Sequence, residues 1–209
     1  MFEAVIFDFG GVITQSPFEA FNRLESRLSV PANSIRRINS TNPDTNAWAQ
    51  SERAEIDVAE FDRRFSEEAS ALGINLSGRD VLSCLQGNVR PAMLEALRRI
   101  SKRFKTGCIT NNVKSAPSDP VARDNQVSEA FSLFGYVIES SKLGIRKPDP
   151  RIYTMMLDHL KVSAERSIYL DDLGINLKPA KALGMTTIKV ESEGPAVAEL
   201  ERLLGIQLG

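Results

Sequence analysis

The chain of 209 residues is poor in several things, and each scarcity removes a class of protein. It has one histidine, His159, and two cysteines, Cys84 and Cys108. One histidine cannot build a histidine-based zinc site, and beside Asp158 on an amphipathic helix it reads as a surface residue. The two cysteines lie far apart in apolar surroundings, so they read as reduced core residues and not as a disulfide framework. No apolar run approaches the ~18 residues that span a bilayer. Charge of one sign is missing as well. Twenty-six Lys and Arg stand against 27 Asp and Glu, for a net charge of −1. That balance offers no basic field for nucleic acid and no basic tail for a membrane surface. The apolar N-terminus is broken by Glu3 and Asp8 and has no basic residue ahead of it, which makes a poor signal peptide. There is no internal repeat, low-complexity tract or long linker. The expectation is a cytoplasmic enzyme or binding protein, monomeric or homodimeric, with neither nucleic acid nor membrane as partner.

What is present is a spaced set of short apolar runs: AVIF (4–7), FKTGCI (104–109), YVI (136–138), SIYL (167–170) and TTIKV (186–190). Each is rich in β-branched or aromatic residues and is followed by polar punctuation, the signature of a buried strand. Helix-spaced apolar stripes lie among the later runs. They are Met93, Leu94, Leu97 and Ile100 after Pro91; Ile152, Met155, Met156, Leu157 and Leu160 after Pro150; Leu177, Ala180 and Leu183 before Gly184; and Val197, Leu200, Leu203 and Leu204. Strands alternating with helices predict an α/β fold, a doubly wound parallel sheet covered on both faces. Residues 16–88 break the rhythm. They hold helical patterns (FEAFNRLESRL, ANSIRRIN, VAEFDRRFSEEASAL, RDVLSCL) and no convincing strand. The expected organisation is a core from 1–15 and 89–209 with a helical subdomain, 16–88, inserted after the first strand.

In open parallel sheets chemistry gathers at the carboxyl ends of the strands. There this sequence places Asp8 with Gly10 and Gly11, then Thr110-Asn111-Asn112, then Asp171-Asp172, with Lys147 in the segment SKLGIRKPDP before the fourth strand. Taken singly, each has a plainer reading: a turn former, a helix cap, a solvated lysine. Together they suit phosphoryl transfer. Three carboxylates repel one another, and a hard divalent cation such as Mg²⁺ relieves the repulsion through oxygen ligands. Glycines beside Asp8 let backbone N–H groups approach a phosphate and a carbonyl face the metal. Thr110 and Asn111 can donate to phosphoryl oxygens, and Lys147 can neutralise charge on the phosphoryl group and on Asp8. Asp8 can then attack phosphorus and form an aspartyl-phosphate.

Four short stretches, VIFDFGGVI, CITNN, RKPDP and YLDDLGINLKPAKALGM, resemble in order and spacing the motifs of the haloacid dehalogenase-like (HAD) superfamily. RKPDPRIY, LDDLGINLKPAKALGM and the ending LERLLGIQL are similar to the N-terminal phosphatase domain of soluble epoxide hydrolases. The likeness covers the first strand and roughly residues 90–209. It implies a Rossmann-like HAD core and a Mg²⁺-dependent phosphatase acting on a small-molecule phosphate ester. Asp8 would be the nucleophile and a metal ligand, and the Gly10 carbonyl a second ligand. Asp172, opening a D-x-x-x-N spacing with Asn176, would bind the metal directly, and Asp171 directly or through a water. Thr110 and Lys147 would hold the phosphoryl group, with Gly11 and Asn111 beside it, and residues 16–88 would form a cap that closes over the site.

One departure from the family pattern matters. Most family phosphatases carry a second Asp two residues after the nucleophile, which protonates the leaving group. Here that position is Gly10, and general acid–base help is worth ~10²–10⁴-fold. Three situations are open: a substrate with a good leaving group, such as an aryl, acyl or anomeric phosphate; a proton supplied by the cap; or a weak catalyst. Two other functions stay in view, a 2-haloacid dehalogenase and a catalytically impaired phosphate-binding module. In the cap, AWAQSERAEID (47–57) is expected to be a turn facing the site. There Trp48 flanks substrate or packs the cap core, and Glu52 or Arg53 touches substrate. Arg36-Arg37 and Arg63-Arg64 read as solvated helix faces, or as contacts for an anionic substrate.

Overall fold

The computed structural model describes residues 1–85, 87–113 and 125–209. Among them, five parallel strands form one sheet: β1 (Ala4–Phe7), β2 (Lys105–Thr110), β3 (Tyr136–Glu139), β4 (Ser167–Asp171) and β5 (Thr186–Lys189), in the order β3-β2-β1-β4-β5. The core is an α/β fold with helices on both faces. β1 reads as an unbroken apolar run because both its faces are covered. Val5 and Phe7 pack, with Cys108, Ile168 and Leu170, against α6 (Pro91–Ile100), α7 (Asn125–Ser132) and α11 (Glu193–Leu204). Ala4 and Ile6 pack, with Ile109 and Tyr169, against α9 (Pro150–Leu160) and α10 (Gly174–Ala182). The chain winds outward from β1 on one face and returns to β4 on the other. The neighbours β1 and β4 therefore flank the topological switch point, where the helices following adjacent strands part and leave a crevice.

Between β1 and β2 the chain builds α1 (Phe18–Arg27), α2 (Ser34–Ser40), α3 (Ala47–Glu52), α4 (Val58–Ala71) and α5 (Gly78–Leu82). These helices enclose a core of their own around Phe21, Ile35, Ile38, Phe61 and Phe65. The two connections to the sheet run side by side. Thr14 and Val89 form a single antiparallel bridge, the Gln15 N–H donates to the Asn88 carbonyl and the Arg90 N–H to the Ile13 carbonyl. Residues 47–57, expected to be a turn, open instead with helix α3. Asn46 starts it, its side chain accepting from the Ala49 N–H, which satisfies one of the otherwise unpaired first-turn donors. Helix α7 was not expected from the sequence, although Val127, Ala130 and Phe131 form a short apolar stripe that packs on the sheet. No helix among the described residues is long and apolar enough to cross a membrane. Cys108 lies in the sheet core, and Cys84 is half-buried against the helical core of the insert.

Candidate active site

Strand register assembles the site. Phe7 pairs with Leu170 across β1 and β4, so the next residues, Asp8 and Asp171, come side by side at the switch point. The Asp8 N–H donates to the Leu170 carbonyl at 2.8 Å, and the Phe9 N–H donates to Asp8 Oδ1 at 2.6 Å. On the other side of β1, Thr110 ends β2, buried. Lys147, 1% exposed, stands in the loop between α8 (Ser140–Leu143) and α9. Its Nζ lies 2.8 Å from Asp8 Oδ2 and 2.8 Å from Asp171 Oδ2. Oxygens of Asp8, Asp171 and Asp172 all lie within 4.8 Å of one another.

The three acids are not equivalent. Asp171 is fully buried and its oxygens are occupied. Oδ1 accepts from the Leu173 N–H (2.8 Å) and Asn176 Nδ2 (3.1 Å), and Oδ2 from the Tyr169 hydroxyl (2.5 Å), Lys147 Nζ (2.8 Å) and Asn176 Nδ2 (3.2 Å). With its lone pairs so committed, Asp171 serves as the brace that aims Lys147, which argues against direct contact with a metal. Asn176 spends its amide on this brace too. Asp172 has fewer partners and accepts from Ser16 Oγ at 3.1 Å. Gly11 makes room for it. Its φ is +80°, and a Cβ there would meet Asp172 Oδ2 at 2.2 Å, so any side chain at Gly11 displaces that carboxylate. Gly10 is different: a Cβ there would meet nothing within 4 Å.

Three carboxylates and one lysine leave surplus negative charge in a buried place. Burial and the facing Asp171 lift Asp172 to a pKa of about 6. Burial also holds Asp8 well above the usual carboxylate range, although Lys147 pulls it down. Asp171 stays below that range because Lys147 and its other donors outweigh its burial. The carboxylate oxygens gathered here suit a hard divalent cation, whose charge would draw both raised carboxyls back down. A carboxyl raised above its unfolded value favours the folded state in its protonated form. For Asp172 that penalty is absent below about pH 4 and complete above about pH 6. Saturating Mg²⁺ is therefore expected to raise the melting temperature by roughly 3–8 °C near pH 7.5 and far less near pH 5. Differential scanning calorimetry checks this; an equal shift at both pH values, or none, contradicts it.

Other expected site residues are placed differently. Asn111 does not offer its amide to a phosphoryl group. Its Oδ1 accepts from the Lys147 N–H (2.9 Å), and its Nδ2 donates to the Lys147 carbonyl (3.1 Å) and to Glu52 Oε2 (3.2 Å). Trp48 packs edge-on between Phe21 and Phe61 in the insert. The guanidinium of Arg53 is taken by Glu55 at 2.6 and 2.9 Å. Arg63, exposed, and Arg64, half-buried, both pair with Glu60, and the Arg36 guanidinium lies over Phe18. His159 is exposed and stacks on Tyr136. Sequence reasoning missed Ser16, Tyr169 and Arg146. A helix-free linker, a strand residue and an arginine beside the lysine motif carry no local sign of partners so distant in the chain.

The family model for haloacid dehalogenase-like hydrolases matches residues 2–184. Among curated proteins, Acyl-CoA dehydrogenase family member 10 of Mus musculus is 36% identical over 99% of this chain and 20% of that protein. Bifunctional epoxide hydrolase 2 of Sus scrofa is 30% identical over 98% of this chain and 39% of that protein. The chain thus spans only a fifth to two fifths of these relatives. The sesquiterpene phosphatase astK of Aspergillus oryzae is 25% identical over 98% of this chain and 97% of its own length. Among solved structures, a HAD-like family hydrolase of Porphyromonas gingivalis superposes with a TM-score of 0.70 at 21% identity, covering 99% of this chain and 100% of the other. A HAD family enzyme of Bacteroides thetaiotaomicron, in complex with magnesium and inorganic phosphate, gives 0.62 at 18% identity, with 96% and 99% covered.

Proposed function

Because the chain belongs to the haloacid dehalogenase-like hydrolase family, we propose that it is a Mg²⁺-dependent phosphatase that hydrolyses a small phosphate monoester through an aspartyl-phosphate on Asp8. The observation that carries this reading is the joint placement of Asp8, Asp171 and Asp172 with Lys147 at the switch point of the sheet. A phosphatase relative matched end to end supports it, as does a neighbour in fold that holds magnesium and phosphate.

Asp8, Asp172 and the Gly10 carbonyl would hold the cation, which when bound supplies positive charge to phosphoryl oxygens. Lys147, aimed by Asp171, neutralises a second edge of the phosphoryl group, and Thr110 donates a hydrogen bond to it. An Asp8 oxygen attacks phosphorus and the bond from phosphorus to the ester oxygen breaks, its electron pair leaving with that oxygen. Water then attacks phosphorus, the bond to Asp8 breaks, and phosphate and the free carboxylate are released.

The departing oxygen needs a proton or must be stable without one. Gly10 has no proton to give. Glu52, the insert carboxylate that meets the strand-end loops, already accepts three hydrogen bonds, one from Arg146, so both its oxygens are engaged within the protein. The reading therefore favours substrates with stable leaving groups, the aryl, acyl and anomeric phosphates. A Cβ at Gly10 would meet nothing within 4 Å, and Gly10→Asp is expected to speed hydrolysis of alkyl phosphates at least tenfold, with a smaller gain on p-nitrophenyl phosphate. No gain on alkyl esters would mean that the proton comes from elsewhere. The test of the function itself is phosphate release, with Mg²⁺ and with chelator, from aryl, acyl, anomeric, alkyl and sesquiterpenyl phosphates; silence on all of them rejects it.

The missing acid at Gly10 also suits a 2-haloacid dehalogenase, in which the aspartate attacks carbon without a metal. Asp172 argues against that reading, since a metal-free site gains nothing from another acid, half-buried, within 4.8 Å of the first. Chloride release from 2-chloropropionate that a chelator leaves untouched would reverse the preference.

A further inference from the structure

Glu52 closes α3 of the helical insert, is 6% exposed, and reaches across to the sheet. Its Oε2 accepts from Arg146 Nε at 2.6 Å and from Asn111 Nδ2 at 3.2 Å, and its Oε1 from Trp48 Nε1 at 2.9 Å. Arg146 also donates to the carbonyl of Pro43 in the insert at 2.9 Å. Both residues touched on the core side hold the segment that carries Lys147. Arg146 precedes it, and Asn111 bonds its N–H and its carbonyl. A carboxylate that accepts three hydrogen bonds, one charge-assisted, binds tightly in a buried place, yet nothing in the chemistry above uses it. Ser16, on the connection to the insert, meanwhile donates to Asp172, so the insert meets the site at two separate points.

We infer that Glu52 is a positioning residue that clamps the Lys147 segment from the insert side, through Arg146 and Asn111, so that seating of the insert and aiming of the phosphate-binding lysine are one event. The inference rests on the phosphatase reading for its effect on rate, but the clamp itself has an independent reporter. Trp48 is the only tryptophan of the chain and is hydrogen-bonded to the clamp. Phosphate that engages Lys147 shifts the segment, the segment shifts Glu52, and Trp48 senses it.

The experiment compares wild type, Glu52→Ala, Arg146→Ala and the double variant. Each is assayed on p-nitrophenyl phosphate with Mg²⁺, and each is followed by tryptophan emission as Mg²⁺ and orthophosphate are added. Each single change is expected to lower kcat about 10–100-fold, with KM moving less than about threefold. The double variant should be no worse than the more damaged single one, because both remove one clamp. Orthophosphate should change the emission of wild type and not of the variants. Should Glu52→Ala fail to fold by circular dichroism, Glu52→Gln keeps the shape and loses the charge. It is expected to fall between wild type and Arg146→Ala. Wild-type kcat in the single variants, multiplying losses in the double variant, or an emission in wild type that orthophosphate leaves unchanged would each overturn the clamp. If wild type hydrolyses no ester, the phosphatase reading falls by itself, and the orthophosphate titration still decides for or against the clamp.

Discussion

Asp8→Asn is expected to release no measurable phosphate from any ester that wild type hydrolyses, a loss on the order of 10⁴-fold or more. The replacement is nearly isosteric, so the reason is electronic. An amide oxygen is a poor nucleophile toward phosphorus and carries no charge for a cation. The fold has little cause to object. Asp8 is buried, and burial already disfavours its charged form; Lys147 retains Asp171 at 2.8 Å. Melting temperature should move by only a few degrees while turnover disappears. A phosphate-release assay paired with a thermal melt checks both halves, and turnover at the wild-type rate rules out Asp8 as the nucleophile.

Lys147→Ala is expected to damage rate and fold together. Burial alone would discharge this lysine, but the Asp171 and Asp8 carboxylates facing it outweigh burial and hold its pKa well above the ordinary lysine value. Its removal leaves two buried carboxylates without their shared cation, a loss of about 3–5 kcal/mol. For a chain of this size that corresponds to roughly 10 °C in melting temperature. Phosphate release should fall at least ~10²-fold, since a charge aimed at the phosphoryl oxygens is gone. Calorimetry and kinetics on one preparation read both effects. A variant that melts like wild type would mean that the lysine is not the partner of these acids in solution.

The contrast between these two variants follows from what was and was not legible in the sequence. Strands and the polar residues at their ends were legible because a doubly covered parallel strand is a short apolar run, and a polar residue at its end breaks that run visibly. Asp8, Thr110 and Asp171-Asp172 announced themselves in that way. The pairing of Asp171 with Lys147 was not legible. Tyr169, two residues back on the same strand, and Asn176 join Lys147 in filling the oxygens of Asp171. Nor was the fate of Asn111, whose amide is spent on the Lys147 backbone and on Glu52, 59 residues away. The run AWAQSERAEID was expected to be a turn, while Asn46 just before it caps a helix. Trp48 could be read as a substrate contact or as packing, and its neighbours Phe21 and Phe61 are too distant in the chain for any local pattern to choose.

The most direct measurement is of the covalent intermediate. Wild type would be mixed with Mg²⁺ and a labelled aryl phosphate, quenched in acid within the first turnover, and digested for mass mapping. Gly10 cannot activate the water that clears Asp8, so the phosphorylated state should accumulate. The expected result is one phosphoryl group on the peptide containing Asp8, absent from Asp8→Asn and depleted in Gly10→Asp. Phosphate released by wild type with no label on that peptide at any time point would contradict the account.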